Sequence, residues 1–113
     1  MPTQAIAETR IDRSLDDLAA SRLRRSLREQ ARAGHGLQLI DLSGLATLDT
    51  NTLGVLIAAL RATREVGGAV RVVATTPGVL DVLAVTVLDH LIPVHANASD
   101  ARAAFEPPSR ITA

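Results

Sequence analysis

The stretch Gly36-Leu-Gln-Leu-Ile-Asp-Leu-Ser-Gly-Leu-Ala-Thr-Leu-Asp-Thr-Asn-Thr-Leu-Gly-Val-Leu-Ile57 decides how this chain folds. Leu37 to Ile40 is an apolar run that reads as a short buried strand, closed by Asp41. Ser43-Gly44 then makes a turn, and Leu45 and Leu48 lead the chain to Asp49-Thr50-Asn51-Thr52. From there Leu53, Leu56, Ile57 and Leu60 fall at i, i+3, i+4 and i+7, one face of a helix. Thr50 and its neighbours are residue types that cap helices, because a side-chain oxygen accepts a free amide of the first turn. The same position sets a hydroxyl beside the positive end of a helix dipole, where an added phosphate is well tolerated. Thr50 therefore has two readings, a structural cap and a switchable hydroxyl.

Working outward, Leu15, Leu18, Ala19, Leu23 and Leu27 repeat with helical spacing. Asp16 and Asp17 stand where acids favour a helix start, Arg28 and Arg32 lie towards its end, and Gly34-His35-Gly36 stops it. Before that helix, Gln4 to Ile11 has room for about one strand. On the other side the central helix covers Asn51–Val66, Gly67-Gly68 makes a turn, and Ala69–Ala74 reads as a strand. Thr75-Thr76-Pro77 opens a further helix, with Pro in the first turn where its missing amide costs nothing. Val82, Val85, Thr86 and Val87 are β-branched and weaken that helix after Leu83, where a turn is expected. Ile92–His95 reads as a short last strand, Ser99-Asp100 as a cap, and Pro107-Pro108 as the stop of a closing helix. Strands alternating with helices make this an α/β chain with parallel neighbours wherever a helix crosses over.

Composition removes many function classes. The 113 residues form one domain with a single core. Hydrophobic residues make up 47% of the chain, yet no apolar run approaches the ~18 residues of a membrane span, so no membrane insertion is expected. Met1 to Glu8 lacks a basic start followed by an apolar block, which is not a secretory leader; the expected location is cytoplasmic. All 12 basic residues are Arg, a bias that fits a GC-rich bacterial genome and excludes Lys-dependent chemistry such as a phosphate loop or a Schiff base. Twelve acids balance them, so no net field draws in nucleic acid, and Phe105 alone could stack on a base. Arg22, Arg24, Arg25, Arg28 and Arg32 form a local basic stretch, readable as a solvated helix face or as a dock for an acidic partner.

No constellation for catalysis stands out. His35, His90 and His95 are the only imidazoles, none spaced to share a metal, and cysteine is absent, so neither metal nor cofactor is expected. Asp41 and Asp49 could converge as an acid pair for a small hydrolase or transferase; as single residues they read as turn and cap. No small-molecule ligand is specified by these residues.

The order of motifs resembles the STAS family, the domains of sulphate transporters and anti-sigma factor antagonists. The family's centre runs strand, Asp-Leu-Ser, a short apolar link, Asp-Ser-Ser-Gly-Leu-Gly, then an apolar helix. The matching residues here are Asp41-Leu42-Ser43 and Asp49-Thr50-Asn51-Thr52-Leu53-Gly54. Ala58 to Ala74 resembles the next helix, turn and strand, and Leu88 to Val94 the usual ending. The likeness covers about Leu15 to Phe105. It implies a single STAS-like domain, a mixed central sheet with helices packed mainly on one side. Residues 1–14 are then a short amino-terminal segment, 15–106 the STAS-like domain and 107–113 a frayed tail.

By the same resemblance the chain is a non-enzymatic anti-sigma factor antagonist whose partner is an anti-sigma factor kinase, with no direct contact to nucleic acid. The hydroxyl after the motif Asp is the family's phosphorylation position, which maps onto Thr50, and Asp41, Asp49, Asn51, Thr52 and Gly54 are the implied partner-binding residues. The sequence departs from the family in carrying Thr50-Asn51-Thr52 where Ser-Ser-Gly is common. That departure leaves a second reading open: a non-phosphorylated STAS scaffold, or a cytosolic subunit of a membrane transporter.

Overall fold

The computed structural model describes residues 5–105. In chain order they form β1 (Ile6–Arg10), α1 (Asp17–Arg32), β2 (Leu37–Asp41), α2 (Thr50–Glu65), β3 (Ala69–Val73), α3 (Pro77–Val85), α4 (Leu88–Leu91), β4 (Val94–His95) and α5 (Ala98–Phe105). Asp16 caps α1, its carboxylate accepting the amide of Ala19 at 2.7 Å. Gly34 (φ 99°) and Gly67 (φ 72°) take the chain out of α1 and α2 through the left-handed region, which glycine enters without strain.

The carboxy-terminal part differs in detail from its expected outline. The break in the β-branched stretch comes two residues after Leu83: α3 runs to Val85, and Val87 adopts a left-handed conformation (φ 63°) to start α4. Pro93 has no amide to donate, and β4 is confined to Val94–His95. Asn97, rather than Ser99 or Asp100, caps α5, its Oδ1 accepting the amide of Asp100 at 2.8 Å. The proposed tail, residues 107–113, and the Pro107-Pro108 stop lie outside the described residues.

The strands form one sheet in the order β1-β2-β3-β4, and every neighbouring pair is parallel. Ile6, Leu37 and Ala69 stand in register at one end, and Arg10, Asp41 and Val73 at the other. The resemblance implied a mixed sheet; among the described residues it is parallel throughout. Among the described residues one strand precedes α1, and each later strand is reached by a helical crossover, which returns the chain in the same direction.

Alternation divides the sheet into two faces. Ile40, Val70 and Val72 point into the main core, where they meet Ala20 and Leu27 of α1, Val55 and Leu56 of α2, Leu83 of α3 and Leu88 of α4. Leu39 and Val73 point to the other face and pack beneath Ala101 and Phe105 of α5. Helices thus lie mainly on one side. Fully burying each Leu or Ile of the main core contributes about 1.5–3 kcal/mol. Gln38, Thr52 and Thr63 are buried polar residues. The side-chain amide of Gln38 donates to the carbonyl of Leu27 at 2.8 Å, joining β2 to α1.

Candidate functional site

The segment between β2 and α2 is held from beneath by its own leucines. Leu42, Leu45 and Leu48, three residues apart, are all buried, while Ser43, Gly44, Ala46 and Thr47 between them face outward. Asp41 closes β2 and starts this loop, its Oδ1 accepting the amide of Ser43 at 2.9 Å and its Oδ2 lying 3.2 Å from Nη1 of Arg10. Partial burial alone would raise its pKa, but the bonds from the hydroxyl and amide of Ser43, with the Arg10 guanidinium, outweigh it and hold the carboxyl below its ordinary value.

Asp49, not Thr50, caps α2. Its Oδ1 accepts the amide of Thr52 at 2.7 Å. The Thr52 amide is the largest single reason that this carboxyl ionises below its ordinary value, against an opposing effect of burial. Thr50 follows as the first helical residue, and its side chain is exposed. The cap reading of Thr50 is therefore corrected: the adjacent carboxylate already occupies the free amide it would have bound.

The remaining residues of the motif separate. Asn51 donates from Nδ2 to the carbonyl of Leu15 at 2.9 Å and to Oδ1 of Asp17 at 3.0 Å, clamping the two helix starts together. Thr52 is 1% exposed and belongs to the core, so it offers no side-chain surface to a partner. Gly54 is half-buried at the head of a groove between α1 and α2, where a side chain would meet Nη1 of Arg24 at 3.7 Å. Asp41 and Asp49 each have their own hydrogen-bond partners and share none. Among the described residues, no three side chains of His, Cys, Asp or Glu are grouped to hold a metal ion, and no helix is long and apolar enough to cross a membrane.

A family model, that of the STAS domain, matches residues 3–101. The chain belongs to the STAS domain family. No curated protein matches this STAS domain. Solved structures share its fold at low identity. A candidate anti-sigma factor antagonist from Thermotoga maritima is 21% identical, with a TM-score of 0.79 over 88% of this chain and 86% of that one. An anti-sigma factor antagonist from Mycobacterium paratuberculosis is 23% identical, with a TM-score of 0.75 over 89% and 86%. The anti-sigma factor antagonist SpoIIAA in its unphosphorylated form is 19% identical, with a TM-score of 0.77 over 92% and 90%.

Two features of this STAS domain escape a linear reading. The clamp that Leu15 and Asp17 form with Asn51 lies some 35 residues before the motif it supports, and no local pattern links them. The basic stretch of α1 is also sorted by the fold: Arg24, Arg28 and Arg32 line the α1–α2 groove and are joined there by Arg61 of α2. Their i, i+4, i+8 spacing was the available signal for a single row; Arg61 had none.

Proposed function

We propose that this STAS domain is an anti-sigma factor antagonist: a non-enzymatic, cytoplasmic binding module that engages an anti-sigma factor of the serine/threonine kinase type. The docking edge is the start of α2 around Thr50, with Asp49 and Asn51 setting its shape rather than reaching across. The observation that carries this reading is the exposed Thr50 hydroxyl, presented as the first residue of a 16-residue helix whose cap is supplied independently by Asp49. The kinship of fold with anti-sigma factor antagonists supports it.

A hydroxyl so placed suits a switch. Because Thr50 carries no capping bond, modifying it leaves the helix start intact. A phosphate would bring a charge of about −1.5 to −2 to this point, tolerated by the helix dipole and by the free amides of the first turn. The neutral hydroxyl docks; the dianion, beside the ionised Asp49, opposes a partner surface that must desolvate it.

The test is incubation of the full chain with histidine-kinase-like anti-sigma factors of the native host and ATP. One phosphate should appear on Thr50 by mass spectrometry, and Thr50→Ala should prevent it. Phosphate on Ser43 or Thr47, the exposed hydroxyls of the preceding loop, would overturn the assignment. Binding of such a factor without modification would favour the scaffold reading.

A further inference from the structure

Arg24, Arg28 and Arg32 stand at i, i+4 and i+8 on α1, so their guanidinium groups repeat about every 6 Å along a row of about 12 Å. They form one wall of a groove of about 480 Å³, and Arg61 of α2 stands on the other. The floor is shallow because α2 presents Gly54 and Ala58 there, with Ile57 beside them 39% exposed. Glu65 is the one acid in the groove, at its far end, where it lies 3.9 Å from Arg32. Among the described residues Arg24, Arg28 and Arg61 have no carboxylate within ion-pair distance. In a chain with zero net charge, this groove concentrates positive charge that the protein itself does not compensate.

We infer that the α1–α2 groove docks an acidic helical segment of a partner protein, whose carboxylates at i and i+4 pair with Arg24 and Arg28 while another reaches Arg61 on the facing wall. A helix supplies the matching repeat, since its side chains four residues apart share one face and the same rise. The apolar floor takes the small side chains between those carboxylates. A nucleic-acid backbone fits less well: the row is short, the chain is neutral overall and it offers a single aromatic residue. The groove opens at Gly54, one turn along α2 from Thr50, so one partner can cover both. The identity of that partner, and only that, rests on the antagonist reading above.

The experiment titrates the isotope-labelled full chain with a stapled helical peptide bearing glutamate at every fourth position, and with its glutamine counterpart. Amide shifts are expected along 24–32 and 54–62, with binding at least about tenfold weaker in Arg28→Glu and in Arg61→Glu. Raising salt from about 50 to 300 mM should weaken the parent complex and leave the variants less affected. Both arginines are on the surface, and thermal melts confirm that each variant is folded; Arg28→Gln is the milder control. Equal binding by the variants or by the glutamine peptide, shifts elsewhere, or tighter binding of duplex DNA at the same residues would overturn the inference. The host anti-sigma kinase is then titrated against the same chains. Kinase binding lost in Thr50→Asp but unchanged in both arginine variants keeps the antagonist reading and overturns the groove as its dock. Peptide binding in the groove, with no kinase bound by the parent, keeps the groove and overturns the antagonist reading.

Discussion

The side-chain amide of Asn51 lies 2.9 Å from the carbonyl oxygen of Leu15, so the first turn of α2 is tied to the entrance of α1. The same amide also donates to Oδ1 of Asp17 at 3.0 Å, so one side chain beside Thr50 holds both the entrance and the first residue of α1.

Removing that amide should be felt as stability first and as binding second. Asn51→Ala leaves the Leu15 carbonyl without its donor and should lower unfolding free energy by about 1 kcal/mol in urea. Asn51→Asp should be worse, because its carboxylate would face the Leu15 carbonyl and Asp17. An Asn51→Asp protein as stable as the parent would remove the clamp from the account.

Cap and switch are separable by mutation. Asp49→Ala should lose about 1 kcal/mol, the usual effect of removing a cap. Thr50→Ala should stay within about 0.5 kcal/mol of the parent, as for other exposed positions. Thr50→Asp should melt at or slightly above the parent temperature, since an acid suits the first turn, yet bind the anti-sigma factor more weakly. The opposite ranking of the two alanine variants would return the cap to Thr50.

Acid should loosen this same region. Asp41 and Asp49 both ionise below 3.8 in the folded chain, so the native state holds fewer protons there than the unfolded one. Their stabilisation is complete above 3.8 and is lost as pH falls through the lower native values. Asp49→Asn keeps an acceptor but cannot titrate. Thermal melts from about pH 6 to about pH 2 should show the stability gap between parent and variant closing at the acid end.

His95 reports on the opposite face. Its Nε2 lies 3.0 Å from Nη1 of Arg71, whose guanidinium sits 5.3 Å from the centre of the Phe105 ring. Burial first and the Arg71 charge second lower its pKa below 6.5, with Asp100 opposing. A lowered value means the fold prefers the neutral ring. The contribution is full above 6.5 and is lost as pH falls through the native value. His95→Gln should abolish that part of the pH dependence without removing the acid transition of Asp41 and Asp49.

Val87 offers a stabilising change. It is β-branched, in the left-handed region and 50% exposed, so its side chain returns little packing for its backbone strain. Val87→Gly should raise stability by about 1 kcal/mol, the order of the left-handed penalty for a side chain. A loss instead would show that Val87 packs more firmly than its exposure indicates.

Local signals made much of this architecture legible. The run Leu37–Ile40 became β2, the Leu53 to Leu60 period became α2, and Asp16 and the glycine turns mark helix ends where expected. Each depends on neighbours in sequence. What stayed hidden depends on distant partners. Thr52 carries a polar label, and only the packing of α2 shows that it is core. Gln38 sits in an apolar run because the Leu27 carbonyl receives its amide, a contact no periodicity encodes. A hydroxyl and a carboxylate side by side at a helix start are both plausible caps, and only the placed backbone shows that the Asp49 carboxylate takes the Thr52 amide.

Strand order β1-β2-β3-β4 repeats chain order, and this has a bearing on how the molecule assembles. Each new strand pairs with the one made just before it, so every addition closes a loop of one crossover rather than a long excursion, and the entropy of closure stays small at each step. The sheet can grow in the direction of synthesis. The longest reach back is that of α5, among the described residues, which lies over β2 and β3 and places Arg102 2.9 Å from Glu8 of β1, 94 residues earlier. Until it does, Leu39 and Val73 remain wet on one face of an otherwise paired sheet. Of the described helices α5 comes last in the chain; it latches the fold, and a domain lacking it is the form most exposed to self-association.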